Sequence, residues 1–152
     1  METLFKPSGL MVLPFWGLMI FLPGRRVTQR LMSSPLISAT PAAFYAALVI
    51  PRFAEVWRAV SSPELSGVAA ILGSPAGAMI GWLHFLAFDL FVGRWIYLDS
   101  RERGVSAWVM APVLFLTLML GPCGFLLYLM VRHARGHLKA GENVIPVSTV
   151  SK

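Results

Sequence analysis

Three ionisable side chains stand inside one apolar run. The stretch Gly81-Trp82-Leu83-His84-Phe85-Leu86-Ala87-Phe88-Asp89-Leu90-Phe91-Val92-Gly93-Arg94-Trp95-Ile96-Tyr97-Leu98-Asp99 carries His84, Asp89 and Arg94 among largely apolar neighbours. An imidazole and a carboxyl group can give and take protons, and a guanidinium can hold a polar substrate end or tune a nearby carboxylate, so the three are candidate catalytic groups. Asp89 lies near the middle of the run, where an ionised acid facing lipid costs about 3 kcal/mol or more. It must therefore face a bundle interior, a cavity or a cation, or keep its proton. His84 and Asp89 are five residues apart, about 140° around a helix, so this helix alone cannot pair them. Trp82 shares a face with Asp89, and Trp95 shares one with His84.

Each of these residues also has a plainer use. An Asp–Arg or Asp–His link to a neighbouring helix would lock a bundle without doing chemistry. Arg94 sits near the run's end, where it can snorkel to the interface or pair with Asp99. Trp82, Trp95 and Trp108 suit an interfacial aromatic belt. Asp99 and Arg103 form an i,i+4 pair with the acid first, expected at a solvated helix end.

A second apolar run holds Pro112, Thr117 and then Gly121-Pro122-Cys123-Gly124. A proline there breaks the hydrogen-bond ladder and kinks the helix, and the flanking glycines permit close packing or leave room for a flat ligand. Thr117 is expected to satisfy a carbonyl freed by Pro122. With Trp82, Phe85, Phe88 and Trp95, the residues Thr117, Gly121 and Pro122 are the candidate walls of a substrate pocket. Pro14-Phe15-Trp16-Gly17 could line an apolar pocket or face lipid, and Cys123 reads as a small packing residue. His133 and His137 have the spacing of a helical metal pair, but no acid stands near, and they read as a solvated face. No phosphate loop, nucleophile elbow or histidine-box set is present, so neither a cofactor nor a metal is expected.

The composition indicates what must position these groups. The chain has 152 residues, 57% apolar and only 13% charged, with a mean hydropathy of +0.70. A soluble domain carries about 25% charged residues, so this balance favours a membrane-embedded, all-α chain. Four stretches approach the length of a span: about 4–22, 36–53, 75–98 and 107–131. They imply one four-helix membrane domain over residues 1–135, with a polar, disordered tail over 136–152. In the second loop, Ser61-Ser62-Pro63-Glu64 reads as a cap before a short interfacial helix over Pro63–Leu72, and Ser74-Pro75 as the cap that opens the third span. The single cysteine excludes a disulfide framework.

The formal charge is +6. Because the basic residues lie between apolar runs, anionic lipid headgroups rather than nucleic acid are the expected partners. Four crossings would put both termini and the second loop on one side, with seven basic residues against five, or six with Arg94. That balance leans toward cytoplasmic termini. The first span ends without a small-x-small cleavage site and follows no Arg- and Ser-rich leader, so a bacterial cytoplasmic membrane is expected.

The motifs Gly73-Ser74-Pro75-Ala76-Gly77, Trp82 through Ile96, and Leu116-Thr117-Leu118-Met119-Leu120-Gly121-Pro122-Cys123-Gly124-Phe125-Leu126-Leu127-Tyr128 resemble the abscisic-acid-deficient-four-like family, as do Leu13-Pro14-Phe15-Trp16 and the Arg-rich first loop. The likeness covers about residues 4–132. It implies a four-span membrane protein linked to carotenoids. For the plant branch it implies isomerisation of an epoxide end group to an allenic alcohol on the way to neoxanthin. In that setting His84 and Asp89 are the expected acid–base groups, and Arg94 the group that steadies a polar end. The other reading is a non-catalytic protein that holds a pigment or lipid, or assists a carotenoid enzyme. Four short helices offer a small cavity, so a homodimer with a shared pocket and a carotenoid-enzyme partner are the assemblies considered.

Overall fold

The computed structural model describes the backbone of residues 2–142 and the side chains of residues 3–135. Helices follow one another: α1 (Glu2–Leu10), α2 (Leu13–Phe21), α3 (Arg26–Ser33), α4 (Ala39–Val49), α5 (Phe53–Ser61), α6 (Leu65–Gly73), α7 (Pro75–Glu102) and α8 (Ala107–Glu142), with 3-10 turns at Pro35–Ser38 and Ile50–Arg52. No strand occurs among the described residues. Four helical stretches are long and apolar enough to cross a membrane: Thr3–Phe21, Pro35–Ser61, Pro75–Glu102 and Ala107–Arg135.

The helix α7 is the axis of the bundle. Ser74 caps it by accepting from the Gly77 N–H at 3.0 Å, and Pro75 occupies the first turn, as expected from the sequence. The α1–α2 stretch runs alongside α7 in the same direction. Trp82 Nε1 donates to Ser8 Oγ at 3.0 Å, the Trp16 ring fills the space left by Gly93, and Tyr97 OH donates to the Pro23 carbonyl at 2.7 Å. The α4 helix runs the other way, with Ser33 beside Arg94 and the Tyr45 ring 5.7 Å from the His84 ring. Val12, Trp16, Met19, Leu90, Ile96, Tyr97, Val113, Leu114 and Tyr128 make the buried apolar core between α2, α7 and α8.

The fourth apolar stretch does not continue straight. Leu120 (φ −137°, ψ 39°) and Gly121 (φ 9°, ψ −79°) leave helical geometry and split α8 into two arms. A side-chain carbon on Gly124 would collide with the backbone nitrogen of Thr117. Residues seven apart in a continuous helix lie about 10 Å apart along its axis, so this contact means the second arm folds back on the first. The contacts of the second arm agree. Gly121 lies against Asp89, whereas Tyr128 and Arg132 both bond Asp99, further along α7. The second arm thus returns toward the C-terminal end of α7. A simple kink was expected at Gly121-Pro122, and a reversal is found, because Gly124 lets the two arms touch backbone to backbone at Thr117 while Gly121 fits the turn against Asp89. As a result, the two ends of the described chain sit at opposite ends of α7, not at the same end as four simple crossings would require.

Three smaller expectations also change. Residues 54–61, beyond the expected end of the second span, are helical as part of α5, because Phe53, Val56, Trp57 and Val60 recur at helical spacing. Ser61 therefore ends α5 and caps nothing, and α6 begins at Leu65 after Glu64, whose side chain makes no cap bond. The helix α8 continues to Glu142, into the stretch expected as a disordered tail. The rest of that stretch, residues 143–152, lies outside the described residues.

Replacing Gly124 by Ala should oppose closure of the two arms and destabilise the protein by about 1–3 kcal/mol, the usual cost of overpacking. Gly17→Ala, a helical position with open space around it, should be neutral or mildly stabilising. Thermal unfolding of the detergent-solubilised variants measures both, and equal melting temperatures would contradict the reversal.

Candidate functional site at the reversal of the last helix

Asp89 stands halfway along α7, where the tip of α8 meets it. A Cβ on Gly121 would run into the Asp89 carboxylate, so the acid and the bare glycine backbone share one space. Pro122 has no N–H, and the first N–H groups of the second arm have no partner within their own helix. The carboxylate therefore lies beside the positive end of a helical arm. Among the described residues no hydrogen bond or ion pair reaches Asp89. His84 forms neither a hydrogen bond nor an ion pair with it.

His84 faces away from the tip. Its ring stacks on Phe88 at 4.6 Å and meets Phe85 edge-on at 6.2 Å. It opens on an apolar cavity of about 310 Å³ lined by Tyr45, Val56, Val68, Ile71, Ile80 and Phe85. Between His84 and Asp89, the arc of α7 carries Phe85 and Phe88, which are 60% and 59% exposed. The two groups thus flank an open aromatic strip beside the tip and do not form a direct pair, consistent with their spacing.

Arg94 belongs to neither. Its Nε donates to the Met32 carbonyl at 2.7 Å and its Nη2 to the Ser33 carbonyl at 3.0 Å. It thereby closes the C-terminal end of α3, where a cation is favoured. The remaining candidates are dispersed. Trp82 bonds Ser8 and packs on Phe5 beside a second apolar cavity of about 330 Å³ that Ser8, Phe44 and Leu83 line. Trp95 packs on Phe125 and edge-on against Tyr128, with the Arg132 guanidinium 5.7 Å over its ring. Thr117 is buried and donates to the Val113 carbonyl at 2.8 Å, one turn back in its own arm, rather than to a carbonyl freed by Pro122. Pro122 is exposed at the tip, next to the exposed Cys123. Among the described residues no group of three His, Cys, Asp or Glu side chains is placed to hold a metal. The side chain of His137 lies outside the described residues.

A second polar centre was not anticipated. Asp99 Oδ2 accepts from Arg103 Nε at 2.7 Å, from Arg132 Nε at 3.1 Å and from Tyr128 OH. Its side chain is only 14% exposed. The carboxylate holds the Arg103 guanidinium above its ordinary value, first through their hydrogen bond. The Asp99–Arg103 pair was legible as an i,i+4 pair. Tyr128 and Arg132 are also four apart, but only the reversal brings them to Asp99.

The sequence pattern described as ABA DEFICIENT 4-like matches residues 3–128. The chain belongs to the ABA DEFICIENT 4-like family. The matched region takes in α7, the tip and the second arm as far as Tyr128. Protein ABA DEFICIENT 4, chloroplastic, of Arabidopsis thaliana is 30% identical over 111 residues, covering 69% of this chain and 50% of that protein. The chain thus spans about half the length of the curated relative it matches. No solved structure matches. The relative is chloroplastic by name, which lends no support to the expectation of a bacterial membrane.

In this family member, Tyr128 is buried and its hydroxyl serves Asp99. Tyr128→Phe should cost about 1.5–3 kcal/mol, the range for a hydrogen bond to a charged group. The melting temperature of the purified variant measures it, and an unchanged value would mean that the Tyr128 hydroxyl does nothing to hold the second arm, leaving that to Arg132 and packing.

Proposed function

We propose that this member of the ABA DEFICIENT 4-like family is an integral membrane protein that isomerises an end group of a carotenoid or a related isoprenoid without a cofactor. Family membership and the four apolar helices support the setting. The observation that carries the chemistry is the Asp89 carboxyl group, held mid-helix at the α8 tip with no hydrogen-bond partner. Converting an epoxide end group to an allenic alcohol removes a proton from carbon and delivers one to the epoxide oxygen. Atoms and electrons balance within the substrate, so only proton carriers are needed. Asp89 is assigned the proton transfer at carbon. His84, across the exposed Phe85–Phe88 strip, is assigned the proton at oxygen, with the apolar ring seated against the aromatic side chains. Arg94, committed to α3, has no part in the reaction.

The aromatic strip favours one further reading, a protein that holds a pigment without turning it over. Asp89→Asn separates the two, since it keeps the shape and removes the titrating group. In membranes supplied with an epoxy-carotenoid, the variant should lose at least about 100-fold in product formation at unchanged protein level, the lower range for acid–base catalysis. Undiminished turnover would remove Asp89 from the mechanism. Pigment that copurifies with both forms while neither makes product would establish the holder.

A further inference from the structure

The reversal of α8 changes how the chain can sit in a bilayer. At 1.5 Å per residue the first arm, residues 107–119, rises about 20 Å and the apolar part of the second, residues 122–131, about 15 Å, each less than the roughly 30 Å of a hydrocarbon core. The tip meets α7 at Asp89, midway along a helix that is long enough to cross. Non-helical backbone at such a depth needs cover from protein; of the two residues that leave helical geometry, Gly121 is buried against Asp89, and Leu120 leaves only an apolar side chain exposed.

The charges divide with this geometry. Arg25, Arg26 and Arg30 lie on the segment that follows α2, at the C-terminal end of α7. Arg101 and Arg103 lie at the turn into α8, and Arg132 and Arg135 on the returning arm. Among residues with described side chains, seven arginines besides Arg94 thus stand against Asp99 and Glu102 on that face. At the opposite end, among residues with described side chains, Lys6, Arg52 and Arg58 stand against Glu55 and Glu64. A straight last helix would have carried Arg132 and Arg135 to that opposite end and nearly levelled the two faces. On the basic face, α3 is amphipathic in a particular way. Thr28 and Met32 are buried, while the apolar Val27 and Leu31 are exposed beside Arg26 and Arg30. Such a helix lies flat, with its apolar residues at the acyl boundary and its cations among the headgroups.

We infer that the last apolar stretch is a re-entrant hairpin that leaves the membrane by the face it entered, so that the termini lie on opposite sides, and that the basic face is a collar seated on anionic lipid headgroups. The positive-inside rule then puts the collar and the returning arm on the cytoplasmic, insertion side, and the N-terminal helix on the other. This rests on the reading of the chain as an integral membrane protein.

The chain's single cysteine makes the test direct. In a Cys123→Ala background, one cysteine is placed at Ser62, Ser106 or Ala134, all exposed positions. Sealed, oriented membranes are then treated with an impermeant maleimide before and after permeabilisation. Ser106→Cys and Ala134→Cys should label from one side and Ser62→Cys from the other. Labelling of Ala134→Cys together with Ser62→Cys would overturn the hairpin. Alkaline carbonate extraction of the unaltered protein checks the underlying reading separately, since release from the pellet would remove the membrane setting itself. For the collar, the protein is exchanged in vesicles of phosphatidylcholine and phosphatidylglycerol, and retained lipids are counted by native mass spectrometry. Phosphatidylglycerol should be retained several-fold over phosphatidylcholine, and the combined Arg25→Gln, Arg26→Gln and Arg30→Gln variant should lose that preference. Equal retention by the unaltered protein would overturn the collar.

Discussion

Backbone contact between the two arms of α8 is the constraint on which that side of the molecule depends. Gly124 against Thr117, and Gly121 against Asp89, leave no room for a side chain at either glycine. Because the arms close there, the second arm returns along α7 and does not continue past it. That return brings Tyr128 into the core and Arg132 to Asp99. It also leaves the N-terminal half of α7 uncovered on the arc that Phe85 and Phe88 occupy. One turn therefore decides what Asp89 faces, what Asp99 bonds and where the chain ends.

Polar groups in so apolar a chain need partners; many bond within their own turn, and the six longest-range side-chain bonds tie separate segments together. Arg94 gives its guanidinium to the last carbonyls of α3, which ties the first connection to α7. Tyr97 bonds Pro23 and Thr28 bonds the Leu22 carbonyl, both on the chain between α2 and α3. Ser8 receives the Trp82 indole. These bonds connect segments whose side chains face outward along much of their length, and at each point they substitute for packing that a 152-residue chain cannot supply everywhere.

The sequence discloses those features whose cause is local. Ser74-Pro75 announces the start of α7 because a hydroxyl and a ring act within one turn. The apolar lengths of the four stretches are legible for the same reason, and so is the angular separation of His84 from Asp89. The Gly121-Pro122 motif announces a break, since the missing N–H is a property of one residue. Its size is set by whether Gly124 can touch Thr117, a tertiary contact that spacing does not encode. The role of Asp99 is hidden in the same way, because its donors at 128 and 132 arrive only after the reversal. Arg94 suited lipid or Asp99 more than a substrate, and the carbonyls that claim it belong to α3, a helix in the Arg-rich first loop. Ser61 misled because a capping pattern followed a helix that was already under way.

Two acids on one helix, ten residues apart, show how a structural carboxylate differs from a candidate for chemistry. A locking role requires partners, since an acid in apolar surroundings costs free energy unless it is bonded. Asp99 meets that requirement with three donors on one oxygen. Asp89 does not. No arginine, tyrosine or histidine bonds it, and what it faces is the bare backbone of a glycine tip. An asparagine would fill the same space without the cost of a charge. The positive end of the second arm offsets part of that cost, but no donor bonds the acid as three donors bond Asp99, and a proton carrier needs a group that can exist with and without its proton and is not already tied to a cation. The lateral position of Asp89 suits the same purpose. The two cavities beside α7 hold only about 310 and 330 Å³, whereas Asp89 borders the exposed Phe85–Phe88 strip and is open from the side of the helix.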